Sequence, residues 1–396
     1  MIAPLLFALS TTSTHCSTTD VRLDQPGGTT LVERQLAGCG PQYPDNVLWH
    51  LDRADGVQDG AATRRTTGKG AVIYIVDVGM DASHDEFQRD GGTNVIGGLD
   101  PDVTRGIPGF NCPGGSPTHP CSGLPVIFSH GTAVASVAAG RNNGVAPDAS
   151  IVAVRLLDGG PVTFLYALQD IVKHAYDPAT PQFRTAIINM SQSISGSSEA
   201  AERNGDFLRL LKIMTTGVSK DLQPDPEGKK FLFVTVAGNR NFANANQCAA
   251  DGGVTILPAV FGPEIDGLIT VGGMDRQNAF WFGSCEGDKV EILAPADHVL
   301  TASNTGHNLY RGDVIDAKGN VSDYMSGTSY AAPYVCGIAA RMLEDNPSLT
   351  PVELEARIKA SPSYVSTAGA PAGGHVAVLV ETPPPPPGPR RRAVGH

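Results

Sequence analysis

The chain has 396 residues, 41% hydrophobic and 17% charged, the balance of a folded globular protein rather than a disordered one. Its formal net charge of −11 argues against nucleic acid as a partner, because phosphate binding needs a basic surface. No run approaches the roughly 20 apolar residues of a spanning helix, so no membrane span is expected.

In chain order, Ile2 to Leu9 is a short apolar run followed by Ser and Thr, similar to a signal-peptide core without its basic flank. Residues 1–40 read as a signal- or pro-like segment of little order. Within them Leu36-Ala37-Gly38-Cys39 spells a lipidation box, but Glu33 and Arg34 precede it and no apolar stretch feeds it. From Gly70 a periodic pattern begins. Apolar runs of strand length recur at 71–76, 151–156, 186–190, 231–237, 268–272 and 290–294. They are continuous rather than alternating, as in parallel strands covered on both faces. Between them, Phe164, Leu165, Leu168, Ile171, Val172 and Ala175 share one helical stripe, and Phe207, Leu208, Leu211 and Met214 another. The alternation predicts an α/β domain over 41–381, with a mostly parallel central sheet and helices on both faces. Val335, Cys336, Ile338, Ala339, Met342 and Leu343 are too apolar all round for a surface helix and predict a buried one, with Pro333 in its first turn. Asn346-Pro347 ends it. Thr350-Pro351-Val352-Glu353 then reads as a capping box opening a last helix that carries Leu354 and Ile358. The Pro- and Arg-rich residues 382–396 read as an extended, disordered tail.

Seven cysteines occur, at 16, 39, 112, 121, 248, 285 and 336. Cys112 and Cys121 flank a Pro/Gly-rich loop that suits a local disulfide. A zinc site recruiting His119 is the alternative, though no second close Cys/His pair completes it. Cys336, inside the buried helix, reads as a small core residue.

Three stretches carry chemistry. Gly327-Thr328-Ser329 sets a hydroxyl at the N-terminus of the buried helix, where free N–H groups and the positive dipole end gather. Alone, Ser329 reads as an N-cap. Val76-Asp77-Val78-Gly79 places a carboxylate at the carboxyl end of a buried strand, the edge where open α/β sheets hold functional groups. Ser129-His130-Gly131-Thr132 opens a helix of small residues with an imidazole. A serine hydroxyl is a poor nucleophile until a base takes its proton, and that base needs a carboxylate to fix its tautomer. Asp77, His130 and Ser329 together meet that requirement.

At these residues the chain resembles the subtilisin-like serine proteases (subtilases). The order Asp, His, Ser is theirs. The segments HGTAVASVAAG and GTSYAAP resemble their His and Ser signatures, and VDVGMDASHDEF, with His84 and Phe87, their Asp signature. NNGVAPDASIVAVRLLDG, IINMS and VTVAGNRN agree as well, and NVLWHLDRADG resembles the start of a mature enzyme. The resemblance spans roughly Asn46 to Val380. It implies a subtilisin-like fold and a secreted or cell-envelope serine endopeptidase, monomeric, acting on polypeptides and needing no cofactor for its chemistry. It implies Ser329 as nucleophile, His130 as general base and then acid, and Asp77 as the orienting carboxylate. Asn239, in Ala237-Gly238-Asn239, matches the oxyanion-hole asparagine. Leu156, Leu157, Asp158, Gly159 and Gly160, with Ser191, Gln192 and Ser193, match the strands that pair with a bound peptide. Cys248 and Cys285 lie in segments similar to disulfide-bearing ones of secreted members. Calcium is common in the family. Glu291, Asp297 and Asp313 are candidate ligands here, although solvated structural carboxylates explain them better.

Some positions depart from the family pattern. Val78 stands where Thr or Ser usually follows the Asp, Tyr330 replaces the common Met, and Gln192-Ser193 replaces Leu-Gly. About forty residues precede the mature-like start, short for an inhibitor-chaperone propeptide. Rival readings are a non-catalytic groove protein, an adaptor working through its Pro-rich tail, and an esterase on another α/β fold. The last expects a Gly-x-Ser-x-Gly elbow with His last in the chain, against the order found.

Overall fold

The computed structural model describes residues 17–24, 30–37, 48–54, 64–101, 130–156, 160–192, 205–240, 247–302, 310–311 and 325–360. Each continuous apolar run becomes a buried strand: β3 (Val72–Asp77), β5 (Ser150–Arg155), β6 (Thr185–Met190), β7 (Lys230–Val236), β8 (Leu268–Met274) and β9 (Ile292–Pro295). With β4 (Val95–Leu99) they form one seven-stranded sheet, ordered β9-β8-β7-β6-β3-β5-β4, and every pairing is parallel.

Side chains alternate across this sheet, and each face is covered. Ile73, Ile75, Ile151, Ile187 and Val234 face a core shared with α2 (His130–Ala139) and α5 (Thr328–Asp345). Val72, Tyr74, Val154, Ile188 and Phe233 face the other core, filled by Phe164 and Leu168 of α3 (Pro161–Ala175) and Phe207 and Leu211 of α4 (Gly205–Thr216). This double cover is why the strands read as unbroken apolar runs. The short helix α1 (Trp49–Asp52) packs into the first core, as do Leu354 and Ile358 of α6 (Pro351–Lys359). The capping box of α6 forms as its sequence predicts: Glu353 N–H donates to Thr350 Oγ1 (3.3 Å), and Thr350 N–H to Glu353 Oε2 (2.8 Å).

Two features, strand β4 and the place of Pro333, differ from expectation. Strand β4 was not anticipated, because an edge strand reading Val-Ile-Gly-Gly-Leu lacks a continuous apolar run. A Cβ at Gly97 would lie 2.9 Å from His174 Nε2, so that side chain would have to shift to admit it. Within residues 1–40, β1 (Ser17–Asp24) and β2 (Thr30–Ala37) pair antiparallel, with Leu23 opposite Leu31 and Asp20 opposite Arg34. Pro333 lies inside α5 rather than in its first turn, because the helix starts at Thr328. The tail 382–396 falls outside the described residues, and no described helix is long and apolar enough to cross a membrane.

Candidate active site

The chain runs β3, β4, β5 on one side of the sheet, then crosses β3 to lay β6 on the other. The carboxyl ends of β5, β3 and β6 therefore flank a topological switch point, where such sheets open a crevice. Asp77 closes β3 at this edge. It is buried, and its Oδ1 accepts from the Val78 N–H at 2.8 Å. His130, the first residue of α2, sets Nδ1 3.0 Å from Asp77 Oδ1 and 2.9 Å from Oδ2. A carboxylate only accepts, so Nδ1 carries the proton and a neutral ring keeps its free lone pair on Nε2. Gly131 allows this approach: a Cβ there would stand 2.1 Å from the Gly79 carbonyl oxygen and 3.2 Å from Asp77 Cβ. Burial is the largest influence on the imidazole and lowers its pKa. The charge of Asp77 and its hydrogen bond together outweigh burial, and the net shift is upward from 6.5.

Ser329 is the second residue of α5 and nearly buried. Its hydroxyl donates to the Ser191 carbonyl at 3.4 Å, and among the described residues it makes no hydrogen bond to His130. Its backbone N–H, in the first helical turn, has no acceptor among the described residues. The ring of the next residue, Tyr330, lies 6.0 Å from the His130 ring, centroid to centroid, which brings the imidazole against the start of α5.

Asn239 follows β7 across from that helix start. Its Oδ1 accepts from both Thr328 N–H (2.9 Å) and Thr328 Oγ1 (3.1 Å). With Oδ1 committed, the amide is fixed, and Nδ2 is left as a donor with no protein acceptor among the described residues. The loop around it is pinned by Gln247 Oε1 accepting from Asn239 N–H (2.9 Å), by Arg240 N–H donating to Gly283 O (2.8 Å), and by the Cys248–Cys285 disulfide. That disulfide is the pairing the resemblance implies. Cys112 and Cys121 lie outside the described residues, as does His119. Cys336 is a free, buried core thiol.

Of the expected peptide-pairing residues, Leu156 and Gly160 are described at the end of β5 and the start of α3, and Ser191 and Gln192 just after β6. Leu157, Asp158, Gly159 and Ser193 lie outside the described residues. Gln192 bridges the two edges: oriented to satisfy both ends, its amide nitrogen faces Leu156 O and its oxygen the Val78 N–H, each at 3.3 Å.

The described calcium candidates, Glu291 and Asp297, are engaged by protein partners. Glu291 Oε1 pairs with Lys359 Nζ, and its Oε2 accepts from Thr270 N–H (2.9 Å). Asp297 accepts from Ser326 Oγ (2.9 Å) and pairs with His298 Nδ1 (2.8 Å). Asp313 is outside the described residues. Among the described residues no group of three or more His, Cys, Asp or Glu is arranged to hold a metal.

A family model, that of the Subtilase family, matches residues 68–373. The chain belongs to the subtilase family. This subtilase is 31% identical over 302 residues to Subtilisin-like protease 3 of Pseudogymnoascus destructans, covering 74% of this chain and 58% of that protein. It is 27% identical over 273 residues to a cuticle-degrading serine protease of Arthrobotrys oligospora (69% and 51% covered). It is 28% identical over 346 residues to the extracellular serine proteinase of a Thermus species (85% and 67% covered). The chain thus spans about half to two thirds of the length of these relatives. The crystal structure of a cold adapted subtilisin-like serine proteinase matches with a TM-score of 0.57 at 24% identity, covering 86% of this chain and 100% of that one. That likeness establishes the subtilisin-like fold. Within it, sequence reasoning missed what Thr328 and Gly131 do. Thr328 sits in the GTS signature, but its grip on Asn239 depends on residues far apart in the chain. Gly131 follows the histidine directly, and a glycine at the first turn of a helix is itself a sign of close approach.

Proposed function

We propose that this subtilase is a secreted serine endopeptidase, with its peptidase domain over 41–381, that hydrolyses peptide bonds through an acyl-enzyme. The observation that carries the reading is that four elements deliver complementary groups to the start of α5. Asp77 holds the His130 ring by Nδ1 at 2.9 Å, while Asn239 is locked by Thr328, the neighbour of Ser329. Ser329 Oγ turns from its resting bond with Ser191 O toward His130 Nε2 as substrate enters, a tightening expected of catalytic groups in free enzymes. It attacks the scissile carbonyl carbon as its proton passes to Nε2. The oxygen that gains charge is met by Asn239 Nδ2 and the Ser329 N–H. Collapse of the tetrahedral intermediate breaks the C–N bond, and His130 returns the proton to the leaving amine. Water, deprotonated by the same nitrogen, then cleaves the ester. Asp77 stays ionised throughout and stabilises the imidazolium.

The ends of β5 and β6 pair with the substrate backbone as an added strand. Gln192, filling the space between them, sets the preference for the residue before the cut. No metal or cofactor takes part in these steps. Secretion is supported by relatives named as extracellular or cuticle-degrading enzymes. A fluorophosphonate probe tests the reading. Peptide mapping is expected to find the label on Ser329 in the wild type and none in His130→Ala. Label elsewhere, or undiminished labelling of His130→Ala, overturns it.

A further inference from the structure

Pro333 has no N–H, so the carbonyl four residues back, that of Ser329, loses its helical donor. That carbonyl does not go unpaired: Ser191 Oγ donates to it at 2.9 Å. In return, Ser329 Oγ donates to the Ser191 carbonyl at 3.4 Å, so the two serines exchange hydrogen bonds between the end of β6 and the start of α5. The Ser191 proton is itself directed. Asn189 Nδ2 donates to Ser191 Oγ at 3.0 Å, and of the two acceptors within reach of the hydroxyl hydrogen, Ser329 O at 2.9 Å is nearer than Asn189 Oδ1 at 3.4 Å. Asn189 is fixed in turn from α5, where Cys336 Sγ approaches its Oδ1 at 3.7 Å. Ser191, Asn189 and Cys336 are all buried.

We infer that the Ser191 side chain, oriented by Asn189, is a positioning residue for the nucleophile: it supplies the hydrogen bond that Pro333 withholds, and so fixes the backbone on which Ser329 Oγ and the Ser329 N–H are mounted. This rests on the protease reading above. It adds a side-chain role to a residue otherwise expected to act through its backbone. The Ser329 N–H and Oγ act when charge develops, so a loosened first turn costs turnover more than substrate binding.

The test combines Ser191→Ala, Asn189→Ala and Pro333→Ala, with kcat and KM measured on dye-labelled casein and Ser329 acylation measured with a fluorophosphonate. Ser191→Ala is expected to lower kcat by about three- to tenfold, the worth of one buried hydrogen bond, with KM within about twofold. Asn189→Ala, which keeps the hydroxyl but frees its proton, is expected to lower kcat in the same way. It carries the test if Ser191→Ala fails to fold. In a Pro333→Ala background, residue 333 again has an N–H to give Ser329 O, and removal of the Ser191 hydroxyl is then expected to change kcat by less than about twofold. An unchanged kcat in folded single variants, or an equal loss with and without Pro333, overturns the inference while the wild type still labels. If wild-type Ser329 takes no label, the protease reading falls first and this inference falls with it.

Discussion

Asn239 is fixed by two donors from Thr328, and in the proposed mechanism that fixing makes its remaining amide hydrogens useful: an oxyanion donor that must first reorient loses most of its advantage. Asn239→Ala is expected to lower kcat by roughly 10²–10³-fold, the size seen when one such donor is removed from a subtilisin, with KM and fold retained. Steady-state kinetics beside a circular-dichroism spectrum check it. His130 gives the companion prediction in pH. Its pKa is raised above 6.5, so activity, which in the proposed mechanism needs the neutral ring, is expected to fall on the acid side of that raised value in a single-proton step. Its stability contribution runs the other way. A raised folded pKa favours the charged pair with Asp77, so that contribution is complete below 6.5 and fades as pH rises through the folded value. A kcat/KM profile flat through the acid limb excludes His130 as the base.

At the scale of elements, the site depends on how closely α2 can descend on the end of β3. Gly131→Ala would drive a Cβ into the Gly79 carbonyl oxygen at 2.1 Å, a backbone atom that cannot swing aside. The expected result is withdrawal of His130 from Asp77 and loss of at least about 10²-fold in kcat/KM, since small misplacements near the chemistry are that costly. Activity within a few-fold of wild type would show the contact to be soft. What the sequence made legible follows the same logic. The candidate catalytic residues, Asp77 after an apolar run and His130 and Ser329 at the starts of small-residue helices, stand out because local pattern frames them. The six buried strands were visible for the same reason. The edge strand β4 was not, because Gly97 and Gly98 interrupt its apolar run, and the neighbour of Gly97 is His174 on α3, far away in the chain. The Thr328–Asn239 clasp and the Ser191–Ser329 exchange were hidden because they join residues 89 and 138 positions apart, and only the sheet order brings them together.

For the whole molecule, the question is how the fold tolerates acid, and a second histidine decides part of it. His50 on α1 is fully buried, with Nε2 donating to the Asn143 carbonyl at 2.8 Å. Asn143 reaches on to Ser136 Oγ of α2 (3.1 Å) and to Leu300 O (3.0 Å), so the ring ties the N-terminal helix to the helix that carries His130. Burial is the main cause that brings its pKa down to about 4, against the backbone bond to Asn143, which raises it. The unfolded chain therefore binds a proton between pH 6.5 and 4 that the folded chain refuses, and stability present above pH 6.5 drains away as pH falls through that window. The full difference is about 3 kcal/mol at roughly 1.4 kcal/mol per unit, a sizeable share of a domain's net stability. His130 does not offset it there, because its stabilisation is already complete below 6.5. His50→Gln keeps an N–H for Asn143 but cannot be protonated. Urea unfolding at pH 7, 6 and 5 is expected to give the variant a flatter dependence of unfolding free energy on pH than the wild type. Equal slopes for the two proteins would mean that His50 does not govern acid unfolding, and that the link from α1 to α2 survives the arrival of its proton.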